Sequence, residues 1–517
     1  MRRLPPTRWR REAAVRLLRL KRQWLSRRLE QELRGARETV SVRREGSWVG
    51  ITATSVSAIH AHLPEALGEC ESLTVEVASW RSPWAGWSGK PLPGEMVGSI
   101  RVALPPKGKG RAVVRIELSR ALAVEEALRI ALPALDPRLP LPRAIGRGGG
   151  SRTTATVVDP LSANPCGFSW YQGKGRNHIL GFTREGWVVR RAGTAVVAGV
   201  AGRPLDGRQR ALLRAAGSVE LGEVPARVPV EALAGVLAQL AMTGVVVFAP
   251  GLGREVPLDA ELRTLVRQPF PVEGEVLAWE ARSVAQRRAA MRGHAAGLEA
   301  PPPVSALLVS RRPERAVETV KALRAQTYPN LEIIVGLHGR TAPPGLEGLR
   351  VAEFAPETVF GDVLGAVSKL ASGTLLTKVD DDDLYGPQHI WDLVAARLYS
   401  GATVVGKTAE FVFLDGYGMT VRRHITSEAY TDAVAGGTML LAREDLESVG
   451  GWRPVPRSVD RALQDAVLAD GGLVYSTHAL GFIYVRHSAG HTWDPGVEHF
   501  LLDSRQRWEG LPPGWDS

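Results

Sequence analysis

Residues 374–387 read TLLTKVDDDDLYGP, an apolar run followed by four consecutive aspartates. The apolar run predicts a buried strand, with Asp380–Asp383 at its carboxyl end. Because side chains alternate sides along an extended chain, we expect Asp380 and Asp382 on one side and Asp381 on the other. Ligands of open α/β sheets bind at this end of the strands, where paired carboxylates suit a hard divalent cation. The stretch therefore predicts a metal site whose open positions suit the oxygens of a diphosphate.

The same four aspartates have plainer interpretations. They could form a solvated acidic turn, cap the following helix or bind calcium as a simple loop. Residues 384–387 and a helix predicted from about His389 place them in a defined strand–loop–helix. That context favours a binding site over a solvated turn.

The composition is that of a multidomain globular protein. The chain has 517 residues, of which 44% are apolar and 23% charged, and this length predicts about two to four domains. Its two cysteines, Cys70 and Cys166, lie far apart without metal-ligand spacing, which argues against a disulfide framework or a zinc site and fits the reducing cytoplasm. The long uncharged stretch 232–253 is interrupted by Gln239 and Pro250, so it predicts a helix and a strand, not a membrane span.

The net charge of +11 is concentrated at the amino terminus. Residues 1–37 contain thirteen Arg or Lys and three Glu, a net charge of +10. Nucleic-acid-binding proteins usually spread basic residues over a folded face, so no nucleic-acid partner is predicted. A basic amphipathic helix over residues 1–38, carrying Trp9 and Trp24, instead suits an anionic membrane surface. We predict a cytoplasmic protein attached peripherally to the inner face of the cell membrane; a helix packed on its own protein and a disordered tail are the alternatives.

Changes in pattern along the chain predict five segments. They are the basic helix at 1–38, a β-rich domain such as a sandwich at 39–136, an α/β accessory domain at 152–270, a linking helix at 271–303 and a strand–helix domain at 304–505. The Pro/Gly-rich residues 137–151 mark a boundary. The pattern names no chemistry for residues 39–270.

The last domain alternates strands with helices. Its predicted elements are strands at 304–310 and 331–337 and helices at 312–324 and 362–371, followed by the aspartate-tipped strand. This alternation predicts an α/β fold with a parallel sheet, right-handed crossovers and a nucleotide at the carboxyl edge. Ser310 and Arg311, at the end of the first strand, are predicted nucleotide contacts by their position alone.

Three segments resemble a known family. They are VSALLVSRRPERAVETVKALRAQTYPNLEIIVG at 304–336, LASGTLLTKVDDDDLYGPQHI at 370–390 and GGTMLLAREDLESVGGWRP at 436–454. Over about residues 304–500 the chain resembles the family-2 glycosyltransferases of GT-A fold. The resemblance implies transfer of a sugar from a nucleotide diphosphate-sugar to a hydroxyl acceptor, with inversion and a divalent metal, usually Mg²⁺ or Mn²⁺. We expect a glycan or lipid-linked acceptor and a role in bacterial cell-surface glycan synthesis.

The resemblance assigns roles to the aspartates. The family's Asp-x-Asp motif falls on Asp380-Asp381-Asp382, which implies that Asp380 contacts the metal and the nucleotide. Counting back from Pro387, Asp382 matches the residue that usually reaches the metal, with Asp383 beside it. A metal clamped to both phosphates stabilises the charge that builds up on the leaving nucleoside diphosphate.

Two further segments extend the site that the resemblance implies. Glycosyltransferases of this fold often add a histidine ligand from the region that holds His491 here, with His487 as second choice. Gly437 matches an acceptor-side glycine segment, where the lack of a side chain lets a sugar or phosphate approach the backbone. A structural histidine and a tight turn are the respective alternatives.

The family's catalytic base ends an acidic pair at the start of a helix, eleven residues before a glycine. In SVDRALQDAVLADGG, Asp460 stands eleven residues before Gly471, with Val459 in place of the partner acid. A base is needed because an acceptor hydroxyl is a poor nucleophile until its proton is removed. Asp465 is the rival base, and because five residues turn a helix by about 140°, the two do not easily share a site. An N-cap is the alternative role for Asp460.

Two departures from the family leave the donor nucleotide open. The family's second strand usually ends in Asp-Asp-Gly-Ser, whereas residues 337–340 read LHGR. The usual Arg-Asn pair upstream of the aspartates is replaced by Leu364-Gly365. The alternative function is therefore a catalytically inactive, glycosyltransferase-like protein that binds sugars or acts as a scaffold. Retention of the aspartates and of Asp460 favours the enzyme.

Overall fold

The computed structural model divides the chain into two compact units, residues 1–87 with 98–128 and residues 88–97 with 129–517. The residues that the structure describes are 40–53, 67–81, 97–104, 109–132, 135, 156–168, 178–184, 186–203, 205, 207–298, 300–470, 472–487 and 496–516. The predicted basic helix at 1–38 and His491 lie outside them. The predicted segment boundaries stay predictions.

The first unit contains one five-stranded sheet in the order β1-β2-β3-β5-β4. Its elements are β1 Val40–Glu45, β2 Trp48–Ala53, β3 Glu69–Arg81, β4 Val97–Ala103 and β5 Lys109–Ala123, followed by helix α1 Val124–Ala131. Alternate residues of β3, such as Leu73 and Val75, are buried, as are Val114 and Ile116 of β5. This alternation is typical of a sheet with one covered face. Within the described residues the unit has this single sheet, and the expectation of a sandwich stays a prediction.

The second unit begins with another five-stranded sheet, in the order β10-β9-β6-β7-β8. Its strands are β6 His178–Phe182, β7 Trp187–Arg191, β8 Thr194–Gly199, β9 Ser218–Leu221 and β10 Val246–Phe248; its helices are α2 Gly207–Ala216, α3 Val230–Met242, α4 Ala260–Arg267 and α5 Val276–His294. The amide of Gln286 on α5 donates to and accepts from the backbone of Val247, at 2.8 Å each way. These two hydrogen bonds cover the edge strand β10, which would otherwise leave buried backbone groups unpaired.

An eight-stranded mixed sheet in the order β13-β12-β11-β14-β20-β16-β21-β19 forms the centre of the C-terminal region. Its strands are β11 Val304–Ser310, β12 Leu331–His338, β13 Arg350–Phe354, β14 Leu375–Val379, β16 Val404–Gly406, β19 Ala429–Thr431, β20 Leu440–Ala442 and β21 Val474–Ser476. The first four in the order are parallel, as predicted, and β20 enters antiparallel beside β14.

Helices cover both faces of this sheet. They are α6 Pro313–Arg324, α7 Phe360–Leu370, α8 His389–Ser400, α9 Arg443–Ser448 and α10 Val459–Ala469. On β11, Leu307 and Val309 pack with the core of α7 and α10, whereas Ala306 and Leu308 pack with that of α6. A strand covered on both faces has a continuous apolar sequence, and this run allowed β11 to be predicted from the sequence.

A smaller sheet completes the C-terminal region, in the order β15-β22-β17-β18-β23. It contains β15 Leu384–Tyr385, β17 Phe411–Leu414, β18 Met419–Arg423, β22 Phe482–Arg486 and β23 Ser504–Glu509, with helix α11 Val497–Leu502. The mixed α/β class predicted for the chain is confirmed. Among the helices that the structure describes, none combines the length and apolar character needed to cross a bilayer.

Candidate active site

The aspartate turn follows a strand that ends early. β14 is buried along its whole length and stops at Val379, so Asp380–Asp383 lie in the turn before β15. The hydroxyl of Tyr385 accepts from the backbone N–H of Asp380 and donates to the carbonyl of Gly437, each at 3.0 Å. Because the chain turns after Val379, strand alternation does not reach the aspartates. The prediction that Asp380 and Asp382 pair on one side is therefore wrong.

Asp381 and Asp382 instead share one arginine. Arg312 Nε lies 3.1 Å from Asp381 Oδ2, while its Nη2 contacts Asp381 Oδ1 and lies 2.8 Å from Asp382 Oδ2. Ser310 Oγ donates to Asp381 and accepts from the backbone N–H of Arg312 at 2.8 Å. Burial opposes the charge of Arg312, but the two aspartates outweigh it and raise the pKa of the guanidinium. Ser310, a predicted nucleotide contact, is buried and orients Asp381 in this structure.

Asp380 meets the predicted base across a lysine. Lys378 Nζ lies 2.6 Å from Asp380 Oδ1 and 3.2 Å from Asp460 Oδ2, and its side chain is only 4% exposed. Burial opposes the charge of Lys378, but Asp380 and Asp460 outweigh it and raise its pKa. One buried ammonium thus joins the aspartate turn to a residue 82 positions later in the chain. Below, the rim cluster means Arg312, Lys378, Asp380, Asp381, Asp382 and Asp460.

Asp380 and Asp383 have raised pKa values, and their surroundings differ. Burial and the nearby Asp460 raise the pKa of Asp380 to about 6, although Lys378 acts against that rise. Asp383 faces the protein interior, where its Oδ1 accepts from the backbone N–H of Val485 at 3.0 Å. Burial beside two other aspartates raises the pKa of Asp383 well above its usual range. Metal-ligating carboxyl groups must be deprotonated, so this placement does not suit the predicted role of Asp383 as a metal ligand.

Two adjacent glycines let the halves of the site approach each other. A Cβ on Gly436 would lie 2.0 Å from Asp460 Oδ2, and a Cβ on Gly437 would lie 2.9 Å from Asp380 Oδ2. Both glycines have negative φ, so lack of space, not backbone conformation, requires glycine here. Gly437 therefore lies against Asp380, beside the turn.

Asp460 stands in the first turn of α10. Ser458 occupies the N-cap, with φ of 58°, so the alternative in which Asp460 caps the helix is wrong. Asp460 Oδ2 contacts Lys378, whereas Oδ1 is buried and has no hydrogen-bond partner among the described residues. An ionised carboxylate oxygen with a free lone pair beside the aspartate turn can accept the proton of an incoming hydroxyl.

Two other predicted site residues, Asp465 and His487, are not part of the rim cluster. Asp465 has a side chain that is 54% exposed and pairs with Arg461 Nε at 2.8 Å, four residues earlier on the helix. The ring nitrogens of His487 lie 2.9 Å from Asp415 Oδ2 and 2.6 Å from Arg315 Nη1. Both nitrogens are therefore engaged with other side chains. His491, outside the described residues, stays a prediction.

Arg311 lies beside the rim cluster. Its side chain is exposed, and its Nε donates to His338 Nδ1 at 3.1 Å. Arg340, also exposed, donates from Nε to the backbone carbonyl of Arg311 at 3.3 Å. With Arg312, three arginines follow the carboxyl ends of the parallel strands β11 and β12. The predicted contact between Arg311 and a nucleotide stays a prediction.

The arrangement does not fit a preformed metal centre. Within the part of the chain that the structure describes, no group of three His, Cys, Asp or Glu side chains is placed to hold a metal ion. Asp380 is bound by Lys378, Asp382 by Arg312, and Asp383 faces inward. The predicted metal ligands of the turn are thus occupied by protein cations or directed away from a common point.

Sequence reasoning missed both cations of the rim cluster. Lys378 is a charged residue within an apolar strand, and a buried lysine needs a carboxylate partner. The place of Lys378 within the strand therefore indicated a buried ion pair, and Asp380, two residues later, was the nearest carboxylate partner. Arg312 gave no comparable signal, since its carboxylates lie 69 and 70 residues away in the chain.

Comparison with solved structures finds glycosyltransferases. The chain is similar to the mannosyltransferase PcManGT from Pyrobaculum calidifontis in complex with GDP-Man and Mn²⁺, with 13% identity and a TM-score of 0.30 over 45% of this chain and 64% of that chain. It is similar to GalNAc-T7 with UDP, GalNAc and Mn²⁺, with 13% identity and a TM-score of 0.31 over 39% and 47%. It is also similar to S. aureus TarS in complex with UDP-GlcNAc, with 15% identity and a TM-score of 0.31 over 39% of this chain and 64% of that chain.

These likenesses are partial. The matched region spans less than two thirds of each of the three solved chains. No family model matches the chain, and no curated protein matches it.

Proposed function

We propose that the C-terminal region, residues 304–516, is a glycosyltransferase that moves a sugar from a nucleotide diphosphate-sugar to a hydroxyl acceptor. The observation that carries this proposal is the rim cluster itself. It joins aspartates at the carboxyl edge of a parallel sheet, where nucleotides bind in α/β folds, to a second carboxylate on a helix from the other half of the region. Sugar transfer needs a donor site and a base side by side.

Asp460 is the proposed base. Its Oδ2 is held by Lys378, and its Oδ1 is buried with no hydrogen-bond partner among the described residues. The acceptor oxygen attacks the anomeric carbon while its proton passes to Oδ1, and the bond from that carbon to the diphosphate breaks. Attack opposite to the leaving group inverts the anomeric centre. General-base catalysis of this kind contributes about 100- to 10,000-fold in rate.

A divalent metal remains a prediction of the sequence alone. Mg²⁺ is usually held by one or two carboxylates plus substrate phosphates, and Oδ2 of Asp382 is held by Arg312 in this structure. Because the described residues do not fit a preformed metal site, the proposed steps use only side chains of this chain.

The proposed setting is bacterial cell-surface glycan synthesis at the inner face of the membrane, with residues 1–37 as the membrane contact. The residues that carry this part lie outside the described ones. Sedimentation with anionic liposomes tests it: removing residues 1–37 should release the protein, since each basic residue near such a surface contributes about 1 kcal/mol. Unchanged sedimentation of the truncated protein would contradict the membrane contact.

The proposed activity is tested with a panel of UDP-, GDP- and dTDP-sugars. Donor binding is followed by thermal shift, because a ligand that binds the folded state raises the melting temperature. Release of nucleoside diphosphate is followed with Mn²⁺ and with EDTA. We expect at least one donor to bind and to be hydrolysed or transferred. If no donor binds or reacts under either condition, the enzyme is ruled out in favour of an inactive glycosyltransferase-like protein.

A further inference from the structure

Every carboxylate of the rim cluster contacts a cation of the protein. Arg312 contacts Asp381 and Asp382, and Lys378 contacts Asp380 and Asp460. Each of these four carboxylates thus has at least one oxygen bound to a cation of the protein. The positive charge that a diphosphate requires is therefore already built into the chain.

Arg312 is held so that one part of it stays open. Its Nε and Nη2 bind the aspartates, while Nη1 has no partner among the described residues. The side chain is 43% exposed although Asp381, its main partner, is only 6% exposed. A guanidinium fixed on one edge by two carboxylates presents its other edge in one orientation, and such planar donors match phosphate oxygens.

The surroundings of Arg312 also favour an anion. The residue stands directly before α6, and the amino end of a helix carries partial positive charge. Arg311 and Arg340, both exposed, lie beside it at the ends of neighbouring strands. Asp383 is directed inward, where its Oδ1 accepts from the backbone N–H of Val485. A diphosphate approaching this edge therefore meets three arginines.

We propose that Arg312, supported by Arg311 and Arg340, binds the donor's diphosphate, and that sugar transfer by this chain does not require a divalent metal. The proposal rests on the glycosyltransferase function proposed above and deepens it. When the bond between the anomeric carbon and the phosphate oxygen breaks, the electron pair stays on that oxygen and the guanidinium of Arg312 donates hydrogen bonds to the diphosphate. The acceptor's proton goes to Asp460, so no other co-reactant is needed.

The first experiment uses the unaltered full chain. Binding of inorganic pyrophosphate, UDP and GDP is measured by titration calorimetry in EDTA and again with Mn²⁺, and nucleoside diphosphate release from the active donor is measured under the same two conditions. We expect binding and turnover in EDTA to lie within about threefold of their values with Mn²⁺. Binding or turnover that appears only with Mn²⁺ overturns the inference and leaves the glycosyltransferase function standing. If no probe binds and no donor reacts in either condition, the proposed function itself fails.

The second experiment compares Arg312→Gln with Arg324→Gln. The two arginines stand at opposite ends of the same helix, and Arg324 donates to the backbone carbonyl of Glu347 at 3.0 Å. Loss of a charge-assisted hydrogen bond predicts pyrophosphate binding weakened by about tenfold or more in Arg312→Gln, with Arg324→Gln unchanged. Circular dichroism checks folding, and Arg312→Lys, which keeps the charge without the planar fork, should bind with intermediate affinity. Equal pyrophosphate affinity in Arg312→Gln and the unaltered chain would overturn the inference.

Mn²⁺ binding gives an independent readout. Removal of the guanidinium frees Asp381 and Asp382, which then form a pair of carboxylates open to a cation. We expect the paramagnetic resonance signal of free Mn²⁺ to stay unchanged with the unaltered chain and to decrease with Arg312→Gln. Tight Mn²⁺ binding by the unaltered chain would contradict the inference.

Discussion

The rim cluster and a second charged cluster of the second unit both contain Arg, Lys and Asp, but they differ in solvent exposure. The second cluster, called the buried cluster, consists of Arg288, Asp392, Lys407 and His478. Asp392 and Lys407 have side chains that are 0% exposed, whereas Asp382 is 25% and Arg312 43% exposed. Both clusters place aspartate between cations, but only the rim cluster faces solvent.

The two clusters also differ in how many hydrogen bonds their aspartates accept. Asp392 Oδ1 accepts from Arg288 at 2.6 Å and contacts His478 at 3.2 Å, and Oδ2 accepts from Arg288 at 2.9 Å and from Lys407 at 2.8 Å. Burial alone would raise the pKa of Asp392, but these three neighbours lower it well below its usual range. Asp460, by contrast, keeps one oxygen without a partner among the described residues. Both oxygens of Asp392 are therefore paired, whereas Asp460 keeps one oxygen that can accept a proton.

The largest expected effect is on the rim side. Asp460→Asn removes the free carboxylate lone pair but keeps the side-chain shape, so sugar transfer should fall by about 100- to 10,000-fold. Donor binding, measured by thermal shift, and the free energy of unfolding should change little, because Asn retains an oxygen for Lys378. Transfer above a tenth of the original rate would show that another group removes the proton.

The buried cluster predicts the opposite pattern. Asp392→Ala leaves Arg288 and Lys407 buried without their counter-charge, which should lower the free energy of unfolding by about 3–5 kcal/mol. The matched control is Asp445→Ala, since Asp445 pairs with Arg397 of the same helix α8 while its side chain is 31% exposed. A partly exposed pair of this kind contributes about 1 kcal/mol or less. Urea denaturation compares the two variants, and losses of similar size would contradict the distinction between the clusters.

A smaller effect tests how closely the rim is packed. Gly436→Ala would place a methyl group 2.0 Å from Asp460 Oδ2, so the carboxylate must move. Displacement of a catalytic group by about 1 Å can cost about 100-fold in rate, whereas a surface alanine elsewhere is tolerated. We expect slower transfer with donor affinity nearly unchanged. The control is Gly416→Ala, because no heavy atom lies within 4 Å of a Cβ at that position. Equal transfer rates for the two variants would show that the position of the Asp460 carboxylate does not limit proton removal.

The parallel part of the fold could be predicted because its signals are local. The apolar runs of β11, β12 and β14 are continuous where both faces of the sheet are covered. The antiparallel pairing of β20 with β14 could not be predicted from the sequence, because a strand of three residues is too short to show a periodic pattern. Helix α5 was predicted as a linking helix. Its Arg287 and Arg288 are in fact buried, because their carboxylate partners Glu428 and Asp392 come from distant parts of the chain.

The sequence predicted where the carboxylates of the candidate site lie, but not which cation each of them contacts. The four aspartates were predicted from their place at the end of an apolar run, and Asp460 from the family resemblance; the structure brings Asp380 and Asp460 to one lysine. Strand alternation failed for Asp380 and Asp382 because the strand ends at Val379, before both of them. Lys378 and Asp380 are two residues apart, but the other pairings join residues 69 to 82 positions apart in the chain, and no local pattern encodes those.

The smallest expected effect decides between the two predicted bases. Asp465 is more than half exposed and pairs with Arg461 one turn earlier on α10, a type of contact that contributes about 0.3–0.5 kcal/mol. Asp465→Asn should therefore change the free energy of unfolding by no more than about 0.5 kcal/mol and sugar transfer by less than about twofold. Asp465→Asn and Asp460→Asn remove the same charge from the same helix, five residues apart, so each is the control for the other. If Asp465→Asn abolished transfer while Asp460→Asn did not, the lysine-bridged pair at the rim would be structural, and the difference between the two clusters would lie in exposure alone.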